Sequence, residues 1–414
     1  MAFDFEPRSA AFIADPYPAL AQARSAASLF HSKKLGGWVA AGFADCKALL
    51  KDPRLSADRM TPFFGHLPPQ ARDAVATLEA MMKRWAVFVD PPIHTRLRGL
   101  MNKAFSPRAI ESLAPAIQAR VDTLIDGFAG RPQIDFIREF AYPLPACVIA
   151  DLLGVPIADV DLLKRWSDDL GAFVLTARAS PDKYVRAEAA AKEMQSYFDA
   201  LVAARRMKPG TDAASWLIEA ADAIAAMDGP ELTATCVLLL FAGHETTTHL
   251  LGNGLWALLT HPAELATLRA HVDDNAFVAG AVEEMLRWDG PSLAQVRIAR
   301  EDIDWNGARL RQGERVFLML AGAARDPNVC EAPDRFDVSR ADMPHLAFGY
   351  GIHFCIGAPL ARLEARIAFQ RLLVRLPKLA LVPGPLDWSD NLVVRGLHRL
   401  EIAIGTAARD RAHA

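Results

Sequence analysis

His345-Leu346-Ala347-Phe348-Gly349-Tyr350-Gly351-Ile352-His353-Phe354-Cys355-Ile356-Gly357-Ala358-Pro359-Leu360-Ala361-Arg362 is the stretch that decides how this chain is read. One thiol sits among three glycines, just before a long amphipathic pattern. Gly349, Gly351 and Gly357 let the backbone approach the sulfur closely and take up angles that other residues resist. A loop of this kind holds a thiolate against a metal, with its own N–H groups donating to the sulfur. Taken alone, Cys355 reads as most free cysteines do, as a small buried hydrophobe. The residues around it reverse that preference.

The rest of the composition narrows the field. The chain has 414 residues, 52% of them hydrophobic, enough for a large core. Its formal net charge is −3, with acids and bases interspersed, so neither nucleic acid nor a membrane surface is an expected partner. Five cysteines lie far apart with no C-x-x-C pair, which argues against a zinc ribbon or a disulfide framework and for a reducing cytoplasm. The acidic start Met1-Ala2-Phe3-Asp4-Phe5-Glu6 lacks the pattern of a secretory signal. No apolar run reaches the length of a membrane span.

No repeat, low-complexity block or flexible linker divides the chain, so 1–414 is expected to be one domain. Periodicity predicts helices at about 17–28, 43–51, 93–104, 108–128, 138–153, 158–173, 183–206, 230–260, 276–289 and 357–376. Strand-like runs fall near 29–32, 37–41, 294–299, 308–310, 315–320, 378–382 and 398–405. The expected class is mainly α with small β-sheets (α+β). The segment 321–355 is irregular and too long for an ordinary connection, which marks it as functional. The pattern from Pro230 to Thr260 is the spine, apolar on most sides and therefore buried. The tail after Thr406 is expected to fray.

Several motifs carry chemistry. Inside the spine, Ala242-Gly243-His244-Glu245-Thr246-Thr247 places a glycine and three threonines where a helix disfavours them. Threonine hydroxyls can bond back to the preceding turn and bend the helix. The run predicts a local distortion beside water or a small ligand, or else a polar stripe on a half-exposed helix. His244 and His249 are five residues apart and do not share a face, so this is no H-E-x-x-H zinc site. Glu284 and Arg287 form E-x-x-R, ordinary on a surface. Arg335 offers a second guanidinium, and a buried Glu284 shared by both arginines would lock the irregular segment onto the helix. His94 and Arg98, one turn apart after Asp90-Pro91-Pro92, can grip an anion together; alone they would read as a solvated basic face.

These elements together resemble a cytochrome P-450, a haem-thiolate monooxygenase of the soluble bacterial branch. Four signatures stand in the family's order: His-x-x-x-Arg, A-G-x-E-T, E-x-x-R with its later arginine, and F-G-x-G-x-H-x-C-x-G from Phe348 to Gly357. The likeness runs from Asp15 to Arg399. It implies heme b (iron protoporphyrin IX) held between the long central helix and the helix after the Cys loop. By resemblance Cys355 would be the iron ligand, with Phe348 packed near the sulfur. His94, Arg98, Arg297 and His353 would hold the two propionates. Ala242 and Gly243 would lie over the opposite face, Thr246 would hydrogen-bond dioxygen, and Glu245 would relay protons. Glu284, Arg287 and Arg335 would be structural. Leu238, Leu239, Leu293, Ala294, Val393 and Val394 would line the substrate pocket, under lids formed by 60–89 and 170–186.

The implied function is insertion of one oxygen atom from O2 into a C–H bond of a small or medium hydrophobic molecule. Electrons from NAD(P)H would arrive through a separate ferredoxin and ferredoxin reductase, docking near Arg96, Lys103, Arg362 and Arg366, on a cytoplasmic monomer. A peroxide-driven peroxygenase is the nearest alternative, but Glu245-Thr246 argues against it. A non-catalytic haem-binding sensor is the rival from another class, and would have no use for that pair.

Overall fold

The computed structural model describes residues 5–174, 182–222, 227–341 and 343–405. The lid expected at 170–186 is therefore described only at its ends, and the tail from Thr406 lies outside the described residues.

The spine runs unbroken from Gly229 to Thr260, 32 residues, a length of about 48 Å. Its start follows from three neighbouring side chains. Asp228 accepts from the Glu231 amide, Glu231 accepts from the Asp228 amide, and Pro230 occupies the first turn. The helix is buried along most of its length because others surround it. Pro143–Leu153 crosses it so closely that a Cβ added at Gly243 would lie 2.8 Å from Ile149 Cγ1. Close approach is thus the reason for a glycine in mid-helix, and the threonines do not interrupt the helix. Their hydroxyls do bond back: Thr248 Oγ1 donates to the His244 carbonyl at 2.9 Å.

Asn275–Asp289 (the clamp helix) and Ala358–Arg375 (the proximal helix) pack against the spine and each other. Val160–Val174 and Lys183–Met207 pair as a roof. Two expected helices divide. The 108–128 pattern becomes Pro107–Glu111 and Ala114–Asp126, because Pro115 has no N–H to continue the first and suits the first turn of the second. The 138–153 pattern opens as a wide turn, Ile137–Ala141, before Pro143 restarts it. Short helices Met60–Gly65, Pro69–Asp73 and Ala76–Met82, and longer ones at Ala213–Asp222 and Pro262–Ala270, were not expected from periodicity.

The main sheet orders Phe30–Ser32, Gly37–Ala40, Arg315–Leu318, Gln295–Ala299 and Leu55–Ser56. Its only parallel pair among the described strands joins Trp38–Ala40 to Val316–Leu318. Arg297 faces Val316 in register, which fixes where its side chain leaves the sheet. Glu401–Ala403 sits between Gln133–Asp135 and Ala380–Leu381 in a second sheet. One large hydrophobic cluster unites the helices, and two smaller ones lie against the main sheet. No described helix is long and apolar enough to cross a membrane.

Candidate active site

The Cys loop folds back on itself before the proximal helix begins. The Cys355 amide donates to the Phe348 carbonyl at 2.9 Å, and Gly349 and Gly351 take φ of 72° and 78°, which side chains resist. Burial pushes the Cys355 thiol up, while the Gly357 amide, Arg98 and the Ala358 amide pull it down. Its sulfur faces a cavity of about 260 Å³. Across that space stand Ala242, Gly243 and Thr246 from the spine. The lining of this slot is mostly apolar, with Leu239, Leu250, Phe348, Ile356 and Leu360, which suits a macrocycle.

At one edge the slot gathers basic groups that form no ion pair with an acid among the described residues, Asp90 acting on them only at a distance. His94 is buried and its Nδ1 has no hydrogen-bond partner. Its ring lies 4.2 Å from that of His353. Burial holds both imidazoles down, with Arg98 adding for His94; Arg297 and His94 add for His353, drawn to about 3. Arg297 is buried, bonds only to the Val296 carbonyl and Gln295 Oε1, and is lowered by burial to about 10. Arg98 reaches Asn102 at 3.1 Å and no carboxylate. Two orphan imidazoles and two guanidiniums without acids fit the two carboxylates of a haem, beside a thiol aimed into the slot.

Behind the loop, charges are paired. Burial alone would raise Glu283, but Arg362 and His345 hold it down at about 2, and Arg362 lies 4.5 Å over the Phe348 ring. Below this, Glu284 and Arg287 are almost fully buried. All five N–H groups of Arg287 are used: two on Glu284, and three on the carbonyls of Ala324, Pro333 and Arg335. The expected second guanidinium is corrected. The Arg335 side chain turns outward to Asp337, and Arg340 Nε lies 3.3 Å from Glu284 instead, though not aligned into a hydrogen bond. The chain turns between the two arginines, so their spacing in sequence did not tell which returns.

Thr246 and Glu245 open onto different cavities. Thr246 lines the slot. Glu245 points to the other side of the spine, into a polar cavity of about 500 Å³ that His249, His398, Lys164 and Asp168 also line. About one third of the Glu245 side chain is exposed to this space. Burial raises its carboxyl to about 7, with Asp168 adding to the rise and Lys164 opposing it. His249 Nε2 lies 4.0 Å away, and its ring fits a notch that exists because residue 396 is glycine. His244 lines this cavity too, and its Nδ1 donates to the Leu240 carbonyl at 2.8 Å.

The six expected wall residues separate. Leu238 and Leu239 line the slot, and Leu238, Ala294 and Val393 line an adjoining chamber of about 190 Å³ with Trp85, Val87 and Phe88. Leu293 and Val394 are corrected: each is buried away from these spaces, Leu293 in the small cluster with Phe317. Neighbours in an extended segment point to opposite sides. Sequence reasoning missed Glu364, which lines the slot with Oε2 unpartnered, and Arg59 in the chamber.

Comparison with known proteins agrees with this geometry. Residues 172–377 match the family model "Cytochrome P450". The chain is 41% identical over 404 residues to cytochrome P450 monooxygenase PikC of Streptomyces venezuelae, covering 94% of this chain and 91% of that one. It is 38% identical to the vitamin D(3) 25-hydroxylase of Pseudonocardia autotrophica, covering 96% of each. A myxobacterial cytochrome P450 crystallised with myristic acid superposes with a TM-score of 0.86 at 40% identity, over 97% of this chain and 98% of that one. With a thiol facing the spine across a slot edged by unanswered cations, and relatives matched along nearly its whole length, the chain belongs to the cytochrome P450 family of haem-dependent monooxygenases.

Proposed function

We propose that this enzyme hydroxylates a C–H bond of an elongated, mostly apolar molecule held in the chamber above Ala242. The observation that carries the reading is the placement of Cys355 opposite Ala242, Gly243 and Thr246, with the apolar chamber opening beside them. Cys355 is the ligand, and His94, Arg98, Arg297 and His353 hold the propionates by charge-assisted hydrogen bonds. When bound, haem supplies reductive activation of dioxygen and transfer of one oxygen atom to the substrate. The residues do the rest. Leu238, Ala294 and Val393 orient the substrate, and Phe88 and Trp85 exclude water from it. Glu245 takes up a proton from the polar cavity as its carboxylate and gives it up as the neutral acid toward Thr246, whose Oγ1 hands it on inside the slot. The relatives support a substrate with an extended apolar body, since one is named a vitamin D(3) hydroxylase and another was crystallised with myristic acid.

Electrons come from a separate ferredoxin. Arg362 lies on the first turns of the proximal helix, just behind Cys355, and Lys103 is exposed at the end of the helix Ile93–Ala104. Arg96 and Arg362 already pair with Glu231 and Glu283, so Lys103→Glu probes docking with less risk to the fold. An unchanged electron-transfer rate in that variant would remove Lys103 from the docking surface.

The reading is tested by screening apolar ligands for a haem spin-state shift, then assaying turnover under isotopically labelled dioxygen with ferredoxin and reductase. Hydroxylated product carrying one labelled oxygen is expected. Cys355→His should lose the ferrous carbon monoxide band typical of thiolate ligation; its retention would place the ligand elsewhere.

A further inference from the structure

Arg59 is a half-buried cation that pairs with no acid among the described residues. It precedes the short helix Met60–Gly65 and lines the chamber with Trp85, Val87, Phe88, Leu238 and Val393. Its guanidinium lies 4.7 Å over the Phe88 ring and makes no hydrogen bond or ion pair among the described residues. The nearby acids are engaged elsewhere. Asp58 accepts from the amides of Met60 and Thr61. Asp90 accepts from the Ser56 hydroxyl and the Ala57 amide, and pairs with Arg300 at 3.2 Å. Burial, then repulsion from Arg297, draws Arg59 down to about 10, so it stays charged at neutral pH at a cost in stability.

We propose that Arg59 is a specificity-determining residue that receives the carboxylate of an amphipathic carboxylic acid, whose apolar body lies against Leu238 and Val393. A guanidinium presents paired N–H donors in the plane a carboxylate needs, and its value rises in an apolar chamber. A haem propionate is the competing anion. His353 lines both spaces and Arg297 lines the chamber together with Arg59, so the haem content of Arg59→Met decides between the two anions. The proposal rests on the monooxygenase reading and narrows its substrate to a free acid.

The holoenzyme is titrated with straight-chain acids from decanoic to hexadecanoic, and with their methyl esters, following the haem spin-state shift and calorimetric heat. Haem content is measured in parallel. The acids should bind roughly tenfold or more tighter than the esters. Arg59→Met should bring acids and esters within about twofold while keeping haem, and Arg59→Lys should restore part of the preference. Equal binding of acid and ester by the unmodified enzyme overturns the proposal. So does loss of haem in Arg59→Met with the preference intact, which would assign Arg59 to a propionate. Acid-selective binding without oxygenated product would leave Arg59 in place and overturn the monooxygenase reading instead.

Discussion

Two groups of arginines, one clamping the fold at Glu284 and one lining the haem slot and its chamber, differ in one respect. Arg287 spends every N–H on Glu284 and three carbonyls, and Arg340 adds a second positive charge beside the same carboxylate. Arg297 is buried and Arg59 half-buried, yet neither forms an ion pair with an acid among the described residues. A saturated guanidinium holds a fold together. An unanswered one is a standing cost, and it is kept where a ligand supplies the missing anion.

The clamp should show the largest effect. Arg287→Met leaves Glu284 buried with its main partner gone, and should destabilise the chain by about 3–5 kcal/mol. The double change Glu284→Leu with Arg287→Met should cost less than that single one. Denaturant melts of the haem-free chains compare them, and equal losses would mean the carbonyl bonds matter more than the ion pair.

The slot cations should behave oppositely. Arg297→Met removes a buried charge with no ion-pair partner among the described residues and only a distant Asp90, so the haem-free chain should be no less stable than the parent. Haem retention should weaken by about 1.5–3 kcal/mol, tenfold or more, for the loss of a charge-assisted bond. Transfer of haem to an apo-globin acceptor measures this. A variant that is destabilised when haem-free yet retains haem normally would erase the distinction between the two groups.

The polar cavity sets a third case, an acid without a strong cation. Folding raises the Glu245 carboxyl to about 7, chiefly by burial. The stability it confers is present below its unfolded value near 4.5 and is lost as pH rises through about 7. Against Glu245→Gln, the parent should lose on the order of 1–2 kcal/mol across that window, a figure reduced because water in the cavity screens the charge. Turnover should fall over the same range as the neutral donor is lost, and Glu245→Gln should flatten that limb. A pH profile unchanged by the substitution would take the relay away from Glu245.

These contrasts also explain what could be read from the amino acids. The spine, the Cys loop and the basic helix were legible because each is local: a long apolar run opened by Pro230, three glycines around one cysteine, and His94 one turn from Arg98. Pairing was not local. Arg335 and Arg340 are five residues apart in an irregular stretch, and only the path of the chain decides which reaches Glu284. The pocket wall failed in a regular way. Of the neighbours Leu293 and Ala294, and of Val393 and Val394, one of each pair faces the chamber, and composition does not say which. Arg59 carried no signal, since an arginine in a polar loop reads as solvated until the fold closes over it.

Glu364 gives the smallest effect and the sharpest check on the rule. It is 1% exposed, its Oε2 has no partner, and no cation is resolved as lowering it. Burial alone holds its carboxyl well above the usual range and so favours the neutral form, unlike the unanswered arginines, which stay charged. Glu364→Gln keeps the shape and the neutral state, and should change stability near neutral pH by less than about 1 kcal/mol. The difference should grow with alkalinity. A raised folded pKa means the parent loses stability as pH climbs through it, while the amide does not titrate. Melts at mildly acidic and alkaline pH separate the cases. A large loss for Glu364→Gln already at low pH would mean that Glu364 is ionised and answered by an anion-binding partner, and that burial without a visible counter-charge does not mark a neutral acid.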